Sequence, residues 1–154
     1  MLPVSHVLWT SLWLGLASDA VGRARAFVRA EARRTPGVVP PAARRLAELV
    51  AELGTMSATV QAGRDDFARH ESDPEALAGL GFAIRATATF RLFMRMAPEI
   101  VAGALGVCGI AGYRNDSPYA VGRHLRDAHG ASLMVSNDRI LAANAAMLLL
   151  HKED

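Results

Sequence analysis

Residues 106–140 read GVCGIAGYRNDSPYAVGRHLRDAHGASLMVSNDRI, and the rest of the chain is arranged around this segment. It begins with a glycine-rich turn, in which Gly112 is expected to supply the reversal because glycine adopts backbone conformations that other residues avoid. Ser117 and Pro118 then predict the start of a helix, since serine caps helices and proline suits the first helical turn. We expect this helix to run to about Met134.

A last helix is predicted to begin at residues 136–138, where Ser136 or Asn137 can cap it. Apolar and small residues then recur at three- and four-residue steps, which is typical of one helical face. The residues of this face are Ile140, Ala143, Asn144, Met147 and Leu148.

Upstream of this segment, the apolar residues from about residue 4 to residue 34 also follow a helical spacing. Thr35, Pro36 and Gly37 end this first helix, since proline cannot continue the hydrogen-bond ladder. A second helix is predicted after Pro40 and Pro41, with a length close to 30 residues that favours a bundle. Its apolar stripe is Leu46, Leu49, Val50, Leu53, Met56, Val60 and Phe67.

A third helix is predicted from Glu75 to about Cys108, with Asp73 as its cap and Pro74 at its first position. Its apolar residues lie on two faces, which indicates either a central position or an oligomer interface. Pro98 predicts a kink or a break. The expected fold is all-α: an up-and-down antiparallel bundle of four long helices plus a shorter fifth, forming one domain over residues 1–154.

Composition excludes several classes of protein. The chain has 154 residues, 51% of them hydrophobic, and 17 basic against 15 acidic residues. This near balance does not favour nucleic-acid binding, and the sole lysine, Lys152, indicates an arginine-biased composition instead of a basic patch. The single cysteine, Cys108, excludes an internal disulfide and fits a reducing, cytoplasmic compartment. The uncharged run between His6 and Asp19 is shorter than the ~20 residues of a membrane span, and no signal peptide is predicted.

The residue types that carry chemistry form no strong motif. The five histidines offer no HExxH pattern and no Glu-x-x-His pair, so no metal site is predicted. His124 and Asp127 share a helix face and are expected to form a structural hydrogen bond. Cys108 is expected to be inert filling. Arginines in the third helix are expected to pair with acids across the bundle, namely Arg85, Arg91 and Arg95 with Glu48, Glu52 or Asp65.

Residues 106–140 resemble the C-terminal end of the acyl-CoA dehydrogenase family. In that family a GGxGY-type turn is followed by an Arg-Asp-Ala helix and then by a Glu-Gly-Thr turn that opens the last helix. The corresponding elements here are Gly109-Ile110-Ala111-Gly112-Tyr113, Arg126-Asp127-Ala128 and Val135-Ser136-Asn137. The middle element is identical to the sequence of the family, and the outer two elements differ from it. Helix order extends the resemblance over nearly the whole chain, whereas nothing resembles the family's N-terminal helical domain or its middle β-domain.

This resemblance implies the C-terminal domain of an FAD-dependent oxidoreductase that acts on the CH–CH bond of acyl thioesters. The bundle would cover one side of the flavin and help the protein to oligomerise. The implied partners are further copies of the chain or the domains that complete the flavin site. Alone the chain would be inactive, and it is not expected to retain FAD. The cofactor-binding residues carried over by position are Arg33, Arg34, Gly109, Ile110, Asn137 and Arg139.

Departures from the family pattern concern catalysis. Val135 stands where the family usually has its catalytic glutamate, and valine cannot remove a proton. The alternative position for the base, on the first helix, aligns near Ser5, so no catalytic residue is assigned. A second interpretation is therefore a non-redox helical module for interaction or oligomerisation. The opening residues Leu2, Pro3 and Val4 lie close to where a linker from a preceding domain would arrive, and this favours a longer natural chain.

Overall fold

The structure is a computed structural model that describes residues 2–134 and 137–149. It contains the helices α1 (Leu2–Arg34), α2 (Ala43–His70), α3 (Pro74–Ala78), α4 (Leu80–Cys108), α5 (Ile110–Tyr113), α6 (Gly122–Met134) and α7 (Asn137–Leu148). No strand occurs among the described residues, so the all-α bundle prediction is confirmed. Helices α1, α2 and α4 have 33, 28 and 29 residues, whereas α6 and α7 have 13 and 12.

Helix α1 forms because its buried residues recur every three or four positions along one face. These residues are Trp13, Ala17, Ala20, Val21, Ala24 and Val28. The helix ends at Arg34, and Gly37 follows with a φ of 83°, a left-handed conformation that glycine adopts without strain. The predicted end of the first helix is confirmed.

The polar turn before the third predicted helix is also as expected. The Asp73 carboxylate accepts hydrogen bonds from the amides of Glu75 and Ala76, at 3.1 and 3.0 Å. However, the predicted continuous helix from Glu75 to Cys108 is wrong at its start, because the chain leaves the helical conformation at Gly79, with a ψ of 148°. Gly79 both ends the single-turn helix α3 and precedes α4.

Helix α4 is the centre of the bundle, as one reading of its two apolar faces predicted. It packs against every other helix of the described residues. Pro98 does not break it, since α4 is continuous from Leu80 to Cys108. Phe90 and Phe93 are at most 1% exposed and pack in the core beside Trp13, whose ring lies 5.5 Å from that of Phe90. Burying side chains of this size stabilises the fold by roughly 1.5–3 kcal/mol each.

Contacts between the long helices give their directions. His6 near the start of α1 stacks on Phe90, and Arg23 further along α1 interacts electrostatically with Cys108, so α1 and α4 run in the same direction. Helix α2 runs antiparallel to α4, because Arg85 near the start of α4 binds Asp66 near the end of α2. The three long helices therefore form an up-down-up bundle, and the described helices include none whose length and apolar run would suit a bilayer crossing.

The helix predicted to open at Ser117 and Pro118 begins later, at Gly122. The Ser117 hydroxyl accepts a hydrogen bond from the Tyr119 amide at 3.1 Å, which stabilises a turn in place of a helix start. Helix α6 then ends at Met134, as expected. The start predicted for the last helix at Ser136 lies outside the described residues, and α7 is described from Asn137 onward.

Candidate functional site

The glycine-rich turn joins α4 to the last part of the chain through Gly109. Gly109 has a φ of 56° and a ψ of −137°, and its amide donates to the Leu105 carbonyl at 2.8 Å to close the end of α4. Ile110 and Tyr113 project from this turn and are 75% and 71% exposed. A Cβ atom added at Gly109 would meet nothing within 4 Å, so the surface above the turn is open.

Gly112 does not supply the reversal that the sequence pattern predicted. It is buried in α5, and a Cβ atom there would lie 2.6 Å from the Cβ atom of Cys108. Its carbonyl accepts a hydrogen bond from the Val121 amide at 2.7 Å. Gly112 is therefore needed for close packing, whereas the positive φ of Gly109 reverses the chain.

Helix α1 anchors the segment that follows the turn. The Arg23 guanidinium donates to the Ala120 carbonyl at 3.1 Å, and the rings of Phe27 and Tyr119 meet edge to face at 5.5 Å. Val121 is fully buried. These contacts attach the segment after the turn to a long helix, whereas Ile110 stays in solvent.

The predicted hydrogen bond between His124 and Asp127 is wrong. The Nε2 atom of His124 lies 2.6 Å from Oδ2 of Asp19, which also accepts a hydrogen bond from Arg23 at 2.8 Å. The hydrogen bond from Arg23 lowers the pKa of Asp19 below its usual value, against the opposing effect of partial burial, and the His124 contact lowers it further. The pair joins α6 to α1, an arrangement that the spacing of residues within α6 could not reveal.

Asp127 lies on α6 one helical turn after Arg123 and next to Arg126. Both arginines approach it, with nitrogen–oxygen distances of 3.6 and 3.7 Å, but its side chain is 45% exposed. The buried member of the Arg-Asp-Ala element is Ala128, which is fully buried. Val135, at the position of the family's catalytic base, lies outside the described residues.

The residues predicted to bind FAD lie on three elements. Arg33 and Arg34 are exposed at the end of α1, and Arg34 pairs with Glu31 one turn earlier. Because α1 and α4 run in the same direction, these arginines and the exposed residues Gly109 and Ile110 lie toward the same end of the bundle.

The other two predicted residues lie on α7. This helix packs against α4, and Arg139 on it is exposed. The side chain of Asn137 lies outside the described residues. Arg33, Arg34, Gly109, Ile110 and Arg139 do not line the cavity at the other end of the bundle, and the assignment of all six residues to the cofactor stays a prediction.

A cavity of about 290 Å³ lies at the opposite end of the bundle. Its walls come from the start of α1, the end of α2 and the start of α4, and include His6, Thr10, Val60, Asp66, Phe82 and Arg85. Since a helix rises about 1.5 Å per residue, His6 and Arg33 are separated by roughly 40 Å along α1. The cavity is therefore a separate feature from the predicted flavin-facing end, and it is too small to enclose a dinucleotide cofactor.

Charged groups border this cavity on α2 and α4. The Asp66 carboxylate accepts hydrogen bonds from Nε and Nη2 of Arg85, at 3.1 and 3.3 Å, and from Nη2 of Arg69 at 3.1 Å. Partial burial raises the pKa of Asp66, but the hydrogen bonds from these two arginines outweigh it and hold the pKa below its usual value. Pairing of Arg85 with an acid across the bundle was predicted, although the acid is Asp66 and not Asp65, Glu48 or Glu52.

His6 forms an uncharged part of the cavity wall. Its ring stacks on Phe90 with centroids 4.5 Å apart, and its buried Nδ1 atom has no hydrogen-bond partner among the described residues. Burial lowers the pKa of His6, so the ring is neutral at pH 7. His6 lies four residues before Thr10 and seven before Trp13, which places the three side chains on the same face of α1. This helical spacing is the feature of the sequence from which the position of His6 could have been predicted.

Cysteine thiols and clusters of metal-ligating side chains can also carry chemistry. Cys108 is 2% exposed, and burial raises the pKa of its thiol to about 11, which agrees with the inert role expected for it. Within the part of the chain that the structure describes, no three His, Cys, Asp or Glu side chains are grouped to hold a metal ion.

Comparison of the chain with models of known protein families, with curated proteins and with solved structures finds no match.

Proposed function

We propose that this chain is the α-helical part of an FAD-dependent oxidoreductase of the acyl-CoA dehydrogenase type. In this proposal, the end of the bundle that carries Arg33, Arg34, Gly109 and Ile110 covers one side of the flavin. The remainder of the flavin site, and the pocket for an acyl thioester, come from other domains or from another chain. The protein is inactive alone, because half of the flavin site and the acyl pocket are missing from it, and Val135 stands where the family usually has its catalytic glutamate.

The observation that carries the proposal is the geometry of residues 109–113. An apolar side chain that is 75% exposed stands at Ile110, directly after a glycine whose outer face is open. The turn beneath is fixed by the buried Gly112 and by its 2.7 Å hydrogen bond from Val121. A rigid base with an exposed apolar tip suits contact with a planar ligand or with a second protein surface, because little conformational entropy is lost on binding.

Charge at the same end supports the choice of a phosphate-containing cofactor. Arg33 and Arg34 end α1 with their side chains in solvent, and guanidinium groups bind phosphate oxygens through paired hydrogen bonds. The start of α7 at Asn137 would add helix amides, and Arg139 a third cation. When bound, the flavin would accept the hydride, and this chain would contribute binding and exclusion of water.

The proposal is tested by titrating the purified chain with FAD in an isothermal calorimeter. Because the chain supplies only part of the flavin site, we expect weak, saturable binding. A dissociation constant of about 1 mM corresponds to a binding free energy of ~4 kcal/mol, and the measured constant should be at or below this value. The double variant Arg33→Gln/Arg34→Gln and the single variant Ile110→Asp are each expected to weaken binding about tenfold.

Arg64→Gln is the matched control, since Arg64 is an exposed arginine near the end of α2, at the opposite end of the bundle from Arg33 and Ile110. It should leave the affinity for FAD unchanged. Lack of saturable binding, or an equal loss in the Arg64→Gln variant, would contradict the proposal.

A second candidate is the non-redox oligomerisation module, which a different surface favours. Val4, Leu8 and Leu12 lie four residues apart along α1 and are 47%, 65% and 53% exposed. Exposed apolar stripes of this kind commonly mark contacts between proteins. Analytical ultracentrifugation separates the two candidates: a module should self-associate reversibly, Leu8→Glu should abolish the association, and FAD should not bind. A monomer at all concentrations would contradict this second candidate.

A further inference from the structure

The cavity between α1, α2 and α4 has no role in the proposed flavin-binding function. It encloses about 290 Å³ at the end of the bundle remote from Gly109 and Ile110. At about 30 Å³ for each water-sized group, this volume holds a molecule of roughly ten non-hydrogen atoms. The cavity therefore suits a small metabolite.

The solvent-facing edge of the cavity carries an excess of positive charge. Two arginines share one carboxylate there: the side chains of Arg69 and Arg85 are 68% and 55% exposed, while that of Asp66 is 17% exposed. Arg85 donates two N–H groups to Asp66 and Arg69 donates one, so both guanidiniums keep N–H groups for another acceptor. The cluster has a formal charge of +1, which one monoanion would neutralise.

The walls behind this edge are apolar. Phe82 is 6% exposed and Val60 is 4% exposed, and Ala86 completes this surface from α4. Two hydroxyls of the lining bond to the protein itself, whereas Nδ1 of His6 has no partner among the described residues. The Thr10 hydroxyl donates to the His6 carbonyl at 2.8 Å, and the Thr59 hydroxyl donates to its own helix at 2.9 Å. Few donors are therefore left inside to solvate a charge, whereas hydrocarbon is well accommodated.

We propose that this cavity binds a short linear monocarboxylate, with its carboxylate on Arg69 and Arg85 and its hydrocarbon tail beside Val60, Phe82 and Ala86. A guanidinium matches the planar carboxylate with two parallel hydrogen bonds, which makes it a stronger partner than a neutral donor. A doubly charged phosphate monoester fits less well, because the cluster supplies only one uncompensated positive charge. The tail replaces water on apolar walls and contributes binding through burial.

Hexanoate is the probe, since it is slightly smaller than the limit set by the volume. Titration followed by ¹H–¹⁵N NMR on the full chain should give saturable shifts at amides near Val60 and Ala86, with a dissociation constant in the millimolar range. Hexan-1-ol, which has the same tail and no charge, should bind about tenfold more weakly. Equal binding of hexanoate and hexan-1-ol, or no saturable shift with hexanoate, would overturn the proposal.

Two variants test the two halves of the site. Arg85→Gln removes a cation that is 55% exposed and leaves Asp66 paired with Arg69, so this variant should fold and bind hexanoate about tenfold more weakly. Ala86→Leu fills the cavity and should abolish binding. Arg64→Gln is the matched control, an exposed arginine on α2 that does not line the cavity, and should bind normally. If Arg64→Gln weakens hexanoate binding as much as Arg85→Gln does, the attraction between hexanoate and the protein is non-specific, and the proposed site is refuted.

Discussion

Cys108 illustrates how burial controls the chemistry of a single residue. It lies at the end of α4, where the Cβ atom that Gly112 lacks would collide with it, and it is 2% exposed. Burial raises the pKa of its thiol to about 11, with a smaller opposing effect from Arg23. The nucleophilic form, the thiolate, is therefore scarce at neutral pH.

We predict that Cys108 reacts with Ellman's reagent at pH 8 about 100-fold more slowly in the folded protein than in guanidinium chloride. The factor follows from a pKa two units above the ordinary 9.0, because the rate follows the thiolate fraction. Absorbance of the released thiolate measures both rates. Equal rates in the two solutions would show that the thiol is accessible and ionisable in the fold.

His6 makes stability depend on pH. Its folded pKa lies below the ordinary 6.5 because of burial, so the unfolded chain binds a proton more readily than the folded one. This contribution to stability is fully present above pH 6.5 and is lost as the pH falls from there toward the folded pKa. Because the His6 ring is only partly buried, the slope of the unfolding free energy against pH stays below the limit for one proton, about 1.4 kcal/mol per pH unit.

The prediction is checked by urea unfolding of the wild type and of His6→Phe between pH 8 and pH 5. Phenylalanine preserves the stack on Phe90 and removes the titrating group. The wild type should lose stability relative to the variant only in the acid part of this range. A constant difference in unfolding free energy across the whole range would contradict the role assigned to His6.

Which acid pairs with Arg85 depends on the exact orientation of two helices. Asp65 and Asp66 are adjacent in sequence, and only Asp66 lies on the face of α2 that meets α4. One residue rotates the side chain by 100° around the helix, so charge alone does not separate the two candidates. The partner of His124 could not be predicted from local spacing either, because Asp19 is 105 positions away in the sequence.

At the scale of elements, the helix ends were predictable wherever local chemistry determines them. Proline and glycine after Arg34 and the cap formed by Asp73 are local signals, and both predictions are confirmed. The break at Gly79 and the late start of α6 at Gly122 were missed. In both places a local hydrogen bond stabilises a turn: the Gly79 amide donates to the Ala76 carbonyl, and the Tyr119 amide donates to the Ser117 hydroxyl.

The two glycines Gly106 and Gly112 provide a matched test of the turn. Gly112→Ala should destabilise the protein by about 1–3 kcal/mol, because the added Cβ would lie 2.6 Å from that of Cys108. Gly106→Ala should stabilise it by about 0.5–1 kcal/mol, since Gly106 is helical, exposed and open around its Cα. Chemical denaturation measures both. Equal effects of the two substitutions would refute the assignment of Gly112 to close packing.

At the scale of the whole molecule, hydrophobic periodicity predicted the bundle, and the central position of α4 is one of the two alternatives that its apolar faces indicated. It could not predict the cavity near His6, because a void depends on how three helices fail to fill the space between them. The candidate flavin-facing residues came from the resemblance of residues 109–139 and of the end of the first helix, and the fold accounts for the exposure of Ile110 and Arg33.

The most direct test of the proposed function is to map, by ¹H–¹⁵N NMR, where FAD contacts the chain. The account predicts saturable shifts at the amides of residues 33–34 and 109–113, and no shifts near Ala86 in the remote cavity. Shifts confined to the cavity, or the absence of shifts at the turn in the presence of millimolar FAD, would contradict it.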